Sequence, residues 1–330
     1  MKILIFEYVN GGGYADTELP LALAHEGFLM LKAVLNDFIA SGDHELVVLL
    51  DERCIDLDLP KSITRISVGM HDNVLTVFTH AIQTCDAVLP VAPETEEILW
   101  TLCSAVEKAG KHLLSSSASA VAKTADKMKT FNILSHHHIP TVPSHLLDQY
   151  PHFYAEEGTV IKARDGAGCE NCFVCNNEDD FERLLVSLHN PHNYVVQPFI
   201  SGIALSISAL FREGNGTVLC VNHQFISTHE NQRLRLDGCE VNYQLEKAPF
   251  QMIVDQVAHA FPGLWGYVGI DLIKRDEQLL IVEINPRLTS SYVGIRDALG
   301  INVATQLLHL LDADVTLMPT KNHIVHIDLT

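Results

Sequence analysis

The apolar positions of this chain change period several times, and each change marks an element. Residues 2–7, KILIFE, form a continuous apolar run, the mark of a strand covered on both faces. Gly11, Gly12 and Gly13 follow, and residues 19–40 then carry helical periodicity. Residues 46–50 and 87–91 read as two more buried strands, 95–109 as a helix and 112–115 as another strand. Strands alternating with helices predict a parallel α/β sheet, whose ligands sit outside the carboxyl ends of its strands. The glycine triplet lies at one such end and Glu94 at another.

The pattern shifts after residue 115. SSSASAVAKTA, residues 115–125, is small and polar and reads as a connection between domains. Asp126 caps a helix to about residue 135. The consecutive His136, His137 and His138 cannot share one helix face, so they read as a helix terminus rather than a metal site. IPTVP, residues 139–143, is extended by its prolines. A strand at 159–163, a strand at 172–175, a helix at 177–189 and a strand at 194–199 follow. Residues 204–211 and 218–223 pair across EGNG, a turn signal. Residues 233–242 are polar and read as a loop, 250–260 as a helix, 269–287 as a hairpin and 303–311 as a last helix. The second half is α+β, so the expected class is α/β plus α+β.

The hairpin, GIDLIKRDEQLLIVEINPR, carries the densest candidate chemistry. On a strand, Glu283 and Asn285 share a face, with Ile281 beside them and Val282 and Ile284 turned to a core. With a turn at 276–278, Asp271 lies opposite Glu283. Facing carboxylates repel, unless a cation lies between them. Three hard oxygen donors favour Mg²⁺ or Mn²⁺, which usually shares its shell with substrate phosphates. Arg287 stands two residues on, within reach of such phosphates. The alternative is a surface hairpin with a polar outer face.

A second cue is Lys162 at the end of a strand before RDGAG. A cation beside glycine-loop amides suits a polyphosphate, and such loops act as lids; a plain surface turn is the competing account. In VVQPFISG, Gln197 and the backbone at Phe199 and Ile200 form a hinge able to read an adenine edge, or merely end a strand. Cys169, Cys172 and Cys175 are spaced CxxCxxC, but the last two fall on opposite faces of a strand and a fourth ligand is missing. GGGYAD lacks the spacing of a dinucleotide fingerprint, which argues against a nicotinamide oxidoreductase.

The 330 residues suffice for two or three cored domains, at 47% hydrophobic and 19% charged. With 22 basic and 41 acidic residues, the net charge of −19 argues against a nucleic-acid or anionic-membrane partner while allowing a nucleotide substrate. The start MKILIFEYVNGGG reads as a strand, not a signal segment, and no stretch is long and apolar enough to span a bilayer. A cytoplasmic setting with eight reduced cysteines is expected.

Asp126–Lys127, Lys162 with DGAG, QPFISG, GID and VEINPR resemble, in order and spacing, the ATP-grasp superfamily, and the first third resembles its pre-ATP-grasp domain. FEYVNGGG, VAPETEEIL and NPRLTSSYVGIRDALG are similar to one smaller group within it, the tyramine–glutamate ligases of methanofuran-type cofactor biosynthesis. The resemblance implies a Rossmann-like pre-ATP-grasp domain over 1–115, a small lid sub-domain over 116–196 and a larger antiparallel sub-domain over 197–330. It implies ATP-dependent carboxylate–amine ligation through an acyl phosphate, with ATP and Mg²⁺ or Mn²⁺ as cofactors. Its partners would be small molecules, an amino acid and an amine, with homodimerisation left open. Lys127 and Lys162 would take the α- and β-phosphates, Asp165, Gly166 and Gly168 the lid, and Gln197, Phe199 and Ile200 the adenine. Asp271, Glu283 and Asn285 would hold the metal, and Arg287 the transferred phosphoryl group.

Some relatives carry arginine where this chain has Gly269, which shifts charge stabilisation onto Arg287, or onto Arg233 and Arg235. Gly12, Gly13, Arg233, Arg235 and Ser291 are the substrate candidates. Another amino acid and amine pair, or an ATP-binding module without turnover, are the other readings.

Overall fold

The computed structural model describes residues 1–154, 156–169, 171–229, 232–243 and 246–329. The N-terminal part folds as a five-stranded parallel sheet. Its strands are β1 (Lys2–Glu7), β2 (Glu45–Asp51), β3 (Thr64–Val68), β4 (Ala87–Val91) and β5 (His112–Leu113), in the order β3-β2-β1-β4-β5. Helices α1 (Leu21–Ser41), α2 (Val74–Gln83) and α3 (Ile98–Lys108) cover its two faces. β3 and α2 were not foreseen. The strand sits at the sheet edge with exposed polar positions, so it lacks the unbroken apolar run of its neighbours.

Residues 115–125, expected as a connection between domains, are largely helical. They form α4 (Ala118–Thr124), capped by Ser117, whose hydroxyl accepts from the Ala120 N–H. Small residues there reflect close packing against α3 rather than flexibility. In α5 (Lys127–His136), Asp126 accepts from the N–H groups of Met128 and Lys129. A small four-stranded sheet follows. It comprises β6 (His145–Leu146), β7 (Thr159–Ala163), β8 (Cys172–Cys175) and β9 (Tyr194–Pro198), ordered β6-β9-β7-β8, and α6 (Glu178–Ser187) closes its core.

The large antiparallel sheet holds β10 (Ile203–Arg212), β11 (Asn215–Thr228), β12 (Leu234–Val241), β13 (Gly266–Arg275), β14 (Gln278–Asn285) and β15 (Val325–Asp328), in the order β14-β13-β10-β11-β12-β15. Helix α7 (Ala248–Ala260) packs on β11. Helices α8 (Tyr292–Leu299) and α9 (Val303–His309) pack against α1, joining the first and last parts of the chain through one core. The segment 233–242, expected as a loop, is largely strand β12. Its alternate positions Arg233 and Arg235 are exposed, and that polar face masked the strand. Among the described residues, no helix is long and apolar enough to cross a membrane.

Candidate active site

β13 and β14 pair with Asp271 opposite Glu283 and Gly269 opposite Asn285, the facing expected from sequence, but Arg275 faces Gln278, so the turn is 276–277 rather than the expected 276–278. The register slips between Asp271 and Leu272, where Leu272 faces Ile281. Val282 is the extra residue of that bulge. It lines the cavity, while Ile281 is fully buried in the core. The expected facing of these two residues is therefore reversed, because a bulge switches which side the strand presents. Ile281 is held there by its N–H donating to the Pro140 carbonyl at 3.0 Å and its carbonyl accepting from Val142 at 3.1 Å.

The hairpin meets both lysines. Glu283 Oε2 lies 3.7 Å from Lys127 Nζ and 3.9 Å from Lys162 Nζ. Asp271 accepts from Gln224 Nε2 at 3.0 Å and from Asn285 Nδ2 at 3.0 Å. Burial pushes the Asp271 carboxyl up, and the facing Glu283 pushes it further. Burial also raises Glu283, but the ammonium groups of Lys127 and Lys162 outweigh it and hold that carboxyl low. Lys162 is lowered by burial, against the pull of Glu283. Two carboxylates forced together beside an amide fit a divalent ion. A half-turn of the Asn285 amide would replace its nitrogen with the oxygen that a hard cation prefers.

Arg287 turns toward the N-terminal sheet. Its Nε lies 3.0 Å from both oxygens of Glu94, and its Nη2 3.0 Å from Glu94 Oε2, with Glu94 only 5% exposed. Burial pulls the Arg287 pKa down, yet the Glu94 contacts raise it overall, so the guanidinium stays charged. The loop 164–168 is strapped at three points. Lys127 Nζ donates to the Gly166 carbonyl at 2.6 Å, and the Glu96 N–H donates to Asp165 Oδ2 at 3.1 Å. Arg164 grips Asp126 through Nε at 3.0 Å and Nη2 at 2.7 Å.

A cavity of about 520 Å³ joins these parts. Lys127, Lys162, Gly166, Gly168, Gln197, Phe199, Ile200, Asp271, Glu283, Asn285, Arg287 and Ser291 all line it. Asp165 does not, since its carboxylate faces Glu96. Gln197 donates to Ser144 Oγ at 2.6 Å, and Ser291 shares hydroxyl contacts with Ser208, Tyr267 and Thr289.

The remaining substrate candidates lie elsewhere. Gly12 and Gly13 belong to a tight turn, Val9–Gly13, whose Val9–Gly12 part is buried. A Cβ at Gly12 would sit 2.5 Å from Val68 and one at Gly13 2.3 Å from Tyr8, so packing explains both. Strand alternation turns Leu234 and Leu236 into the cavity and leaves Arg233 and Arg235 outside it. Arg233 stacks over Phe173 at 5.4 Å, and Arg235 pairs with Asp237 at 2.7 Å.

Cys169 and Cys172 line the cavity and Cys175 lies in the small core, and burial raises the Cys172 and Cys175 thiols to about 11. Among the described residues, no group of three or more His, Cys, Asp or Glu could hold a metal. Sequence reasoning missed Gln224 and Glu26. Gln224 reaches Asp271 only because β10 separates β11 from β13, a neighbourhood no local pattern reveals.

The chain matches the family described as the ATP-grasp domain over residues 124–291, and the pre ATP-grasp 3 domain over 44–121. It is 26% identical over 307 residues to a tyramine–L-glutamate ligase of Methanocaldococcus fervens, covering 89% of each chain. Among solved structures it resembles a protein of Archaeoglobus fulgidus assigned to the ATP-grasp superfamily. That match has a TM-score of 0.72 and 24% identity, over all of both chains. It also resembles the biotin carboxylase domain of Hydrogenobacter thermophilus 2-oxoglutarate carboxylase, solved with MgADP and bicarbonate. There the TM-score is 0.71 at 14% identity, over 96% of this chain and 71% of that one.

Proposed function

The chain belongs to the ATP-grasp family, and from that premise we propose that it is an ATP-dependent carboxylate–amine ligase joining L-glutamate to tyramine through an acyl phosphate. One observation carries the reading: the carboxylate hairpin and both lysines converge at 3.7 and 3.9 Å on one cavity wall. The tyramine–L-glutamate ligase relative, similar along 89% of its length, supports the substrate pair. Its modest identity leaves a second reading, another amino acid and amine pair on the same machinery. A module without turnover fits less well, because Asp271, Glu283, Asn285 and Arg287 are all retained.

Lys127 and Lys162 neutralise the nucleotide phosphates, and Gln197, Phe199 and Ile200 line the adenine end. Asp271, Glu283 and Asn285 would hold Mg²⁺, which when bound supplies charge neutralisation to the phosphates. Phosphoryl transfer is largely a matter of positioning and compensating dense charge. Arg287, buried and permanently cationic, is placed to stabilise the transferred group once it exchanges Glu94 for phosphate oxygens. The donor carboxylate takes the γ-phosphoryl group, giving an acyl phosphate and ADP. The amine then attacks the acyl carbon, the C–N bond forms, the C–O bond breaks and phosphate leaves. Residues 165–168 keep water from the mixed anhydride.

Incubation with ATP, Mg²⁺, L-glutamate and tyramine tests this directly. A glutamyl amide detected by mass, with stoichiometric ADP, is the expected result. ADP release only with other members of an amine and amino-acid panel would replace the substrate pair. No substrate-dependent ADP release at all would overturn the ligase reading.

A further inference from the structure

Glu26 stands on the second turn of α1 and lines the same cavity, half-buried, with its carboxylate accepting a hydrogen bond from Ser290 Oγ. The other acids of the site are compensated. Glu283 faces two lysines, Asp271 accepts two amide N–H groups, and Glu94 holds Arg287. Among the described residues, no Lys, Arg or His nitrogen lies within 4.0 Å of the Glu26 carboxylate. Its charge acts on Arg287, on Cys239 and on the buried Glu7.

The surrounding structure holds this carboxylate in place. Asn10 Nδ2 donates to the Ala24 carbonyl at 2.9 Å and to Glu7 Oε2 at 2.7 Å. Glu7 in turn lies against Gly27, where a Cβ would come within 2.6 Å of its carboxyl carbon. The backbone on both sides of Glu26 is thus anchored to the glycine turn. Further along α1, Asp37 accepts from Tyr292 Oη at 2.8 Å and Arg296 Nη1 at 3.0 Å, which fixes α1 against the segment carrying Ser290. An anion positioned in a partly desolvated cavity, with no protein cation in contact, is built to receive a cation from outside.

We infer that Glu26, with Ser290 beside it, recognises a primary ammonium group of a substrate. The inference rests on the ligase reading, in which both nitrogen-bearing substrates carry such a group. The glycine turn then acts as the platform that presents the carboxylate, without touching the substrate.

The test compares wild type, Glu26→Gln and Glu26→Asp, with tyramine and L-glutamate as probes. KM is measured for each probe and for ATP, and binding of each probe is measured by titration without ATP. The expected result for Glu26→Gln is a tenfold or greater rise in KM and Kd for one probe, with KM for ATP and the melting temperature unchanged and partial recovery in Glu26→Asp. A rise for tyramine assigns the acceptor ammonium, and a rise for glutamate the donor α-ammonium. Unchanged KM and Kd for both probes, or parallel losses for ATP and in melting temperature, would overturn the inference. Failure of wild type to form any amide would instead count against the ligase reading, and probe binding by wild type and Glu26→Gln still tests Glu26 by itself.

Discussion

The chain has two glycine loops, each following a strand end, and they do opposite things. In the turn Val9–Gly13 the glycines are there because something else fills their space: Gly12 has φ +97, and a Cβ there would meet Val68. In the loop 164–168, Gly168 has φ +58, is exposed, and a Cβ would meet nothing within 4 Å. The first loop is a solid joint whose buried acid, Glu7, accepts the N–H groups of Val9 and Asn10. The second is a strap that reaches across domains, where Asp165 accepts the Glu96 N–H. Glycine thus signals close approach in one place and a left-handed backbone in open space in the other.

Substitution at the two loops should separate these roles most sharply. Gly12→Ala adds a left-handed backbone penalty to a clash and should cost about 4 kcal/mol of folding stability, read by denaturant unfolding. Gly168→Ala should cost about 1 kcal/mol and leave the fold intact. Equal losses at the two sites would break the contrast.

The acids come next. Glu7→Ala leaves two buried N–H groups unsatisfied and should destabilise the fold by about 3 kcal/mol. Asp165→Ala frees an N–H that water can reach. It should leave the unfolding midpoint nearly unchanged while lowering kcat/KM about fivefold through a looser lid. A large stability loss from Asp165→Ala would make the strap a structural joint as well.

The smallest effects concern pH. Burial raises the Glu7 carboxyl above its ordinary 4.5. The native state therefore holds that proton more tightly, and the associated stability is present below 4.5 and lost as pH rises through the higher folded value. Asp126, which holds Arg164 of the second loop, has the opposite sign. Burial pushes it up, but the Arg164 guanidinium prevails and holds it below the ordinary 3.8. Its contribution is complete above 3.8 and is lost as pH falls through the lower folded value. Unfolding midpoints followed from about pH 3 to about pH 7 should lose the high-pH decline in Glu7→Gln and part of the low-pH decline in Asp126→Asn.

Local patterns in the amino-acid order determined much of this protein. Continuous apolar runs marked the buried strands β1, β2 and β4, because a strand covered on both faces has no polar side to show. The facing of Asp271 and Glu283 was expected from strand period and a turn at 276–278, yet the turn is one residue shorter and the bulge at Val282 restores the pair. Where an element exposes one face, as β3 and β12 do, composition hid it. Tertiary structure alone decided that Val282 rather than Ile281 faces the cavity, that Arg233 and Arg235 turn away, and that Glu94 grips Arg287 from 193 positions away. It alone brought Glu26 beside Ser290. Period and turn chemistry act between neighbours in sequence, whereas a site assembled from three sheets depends on how separate faces pack, and no short stretch of chain encodes that.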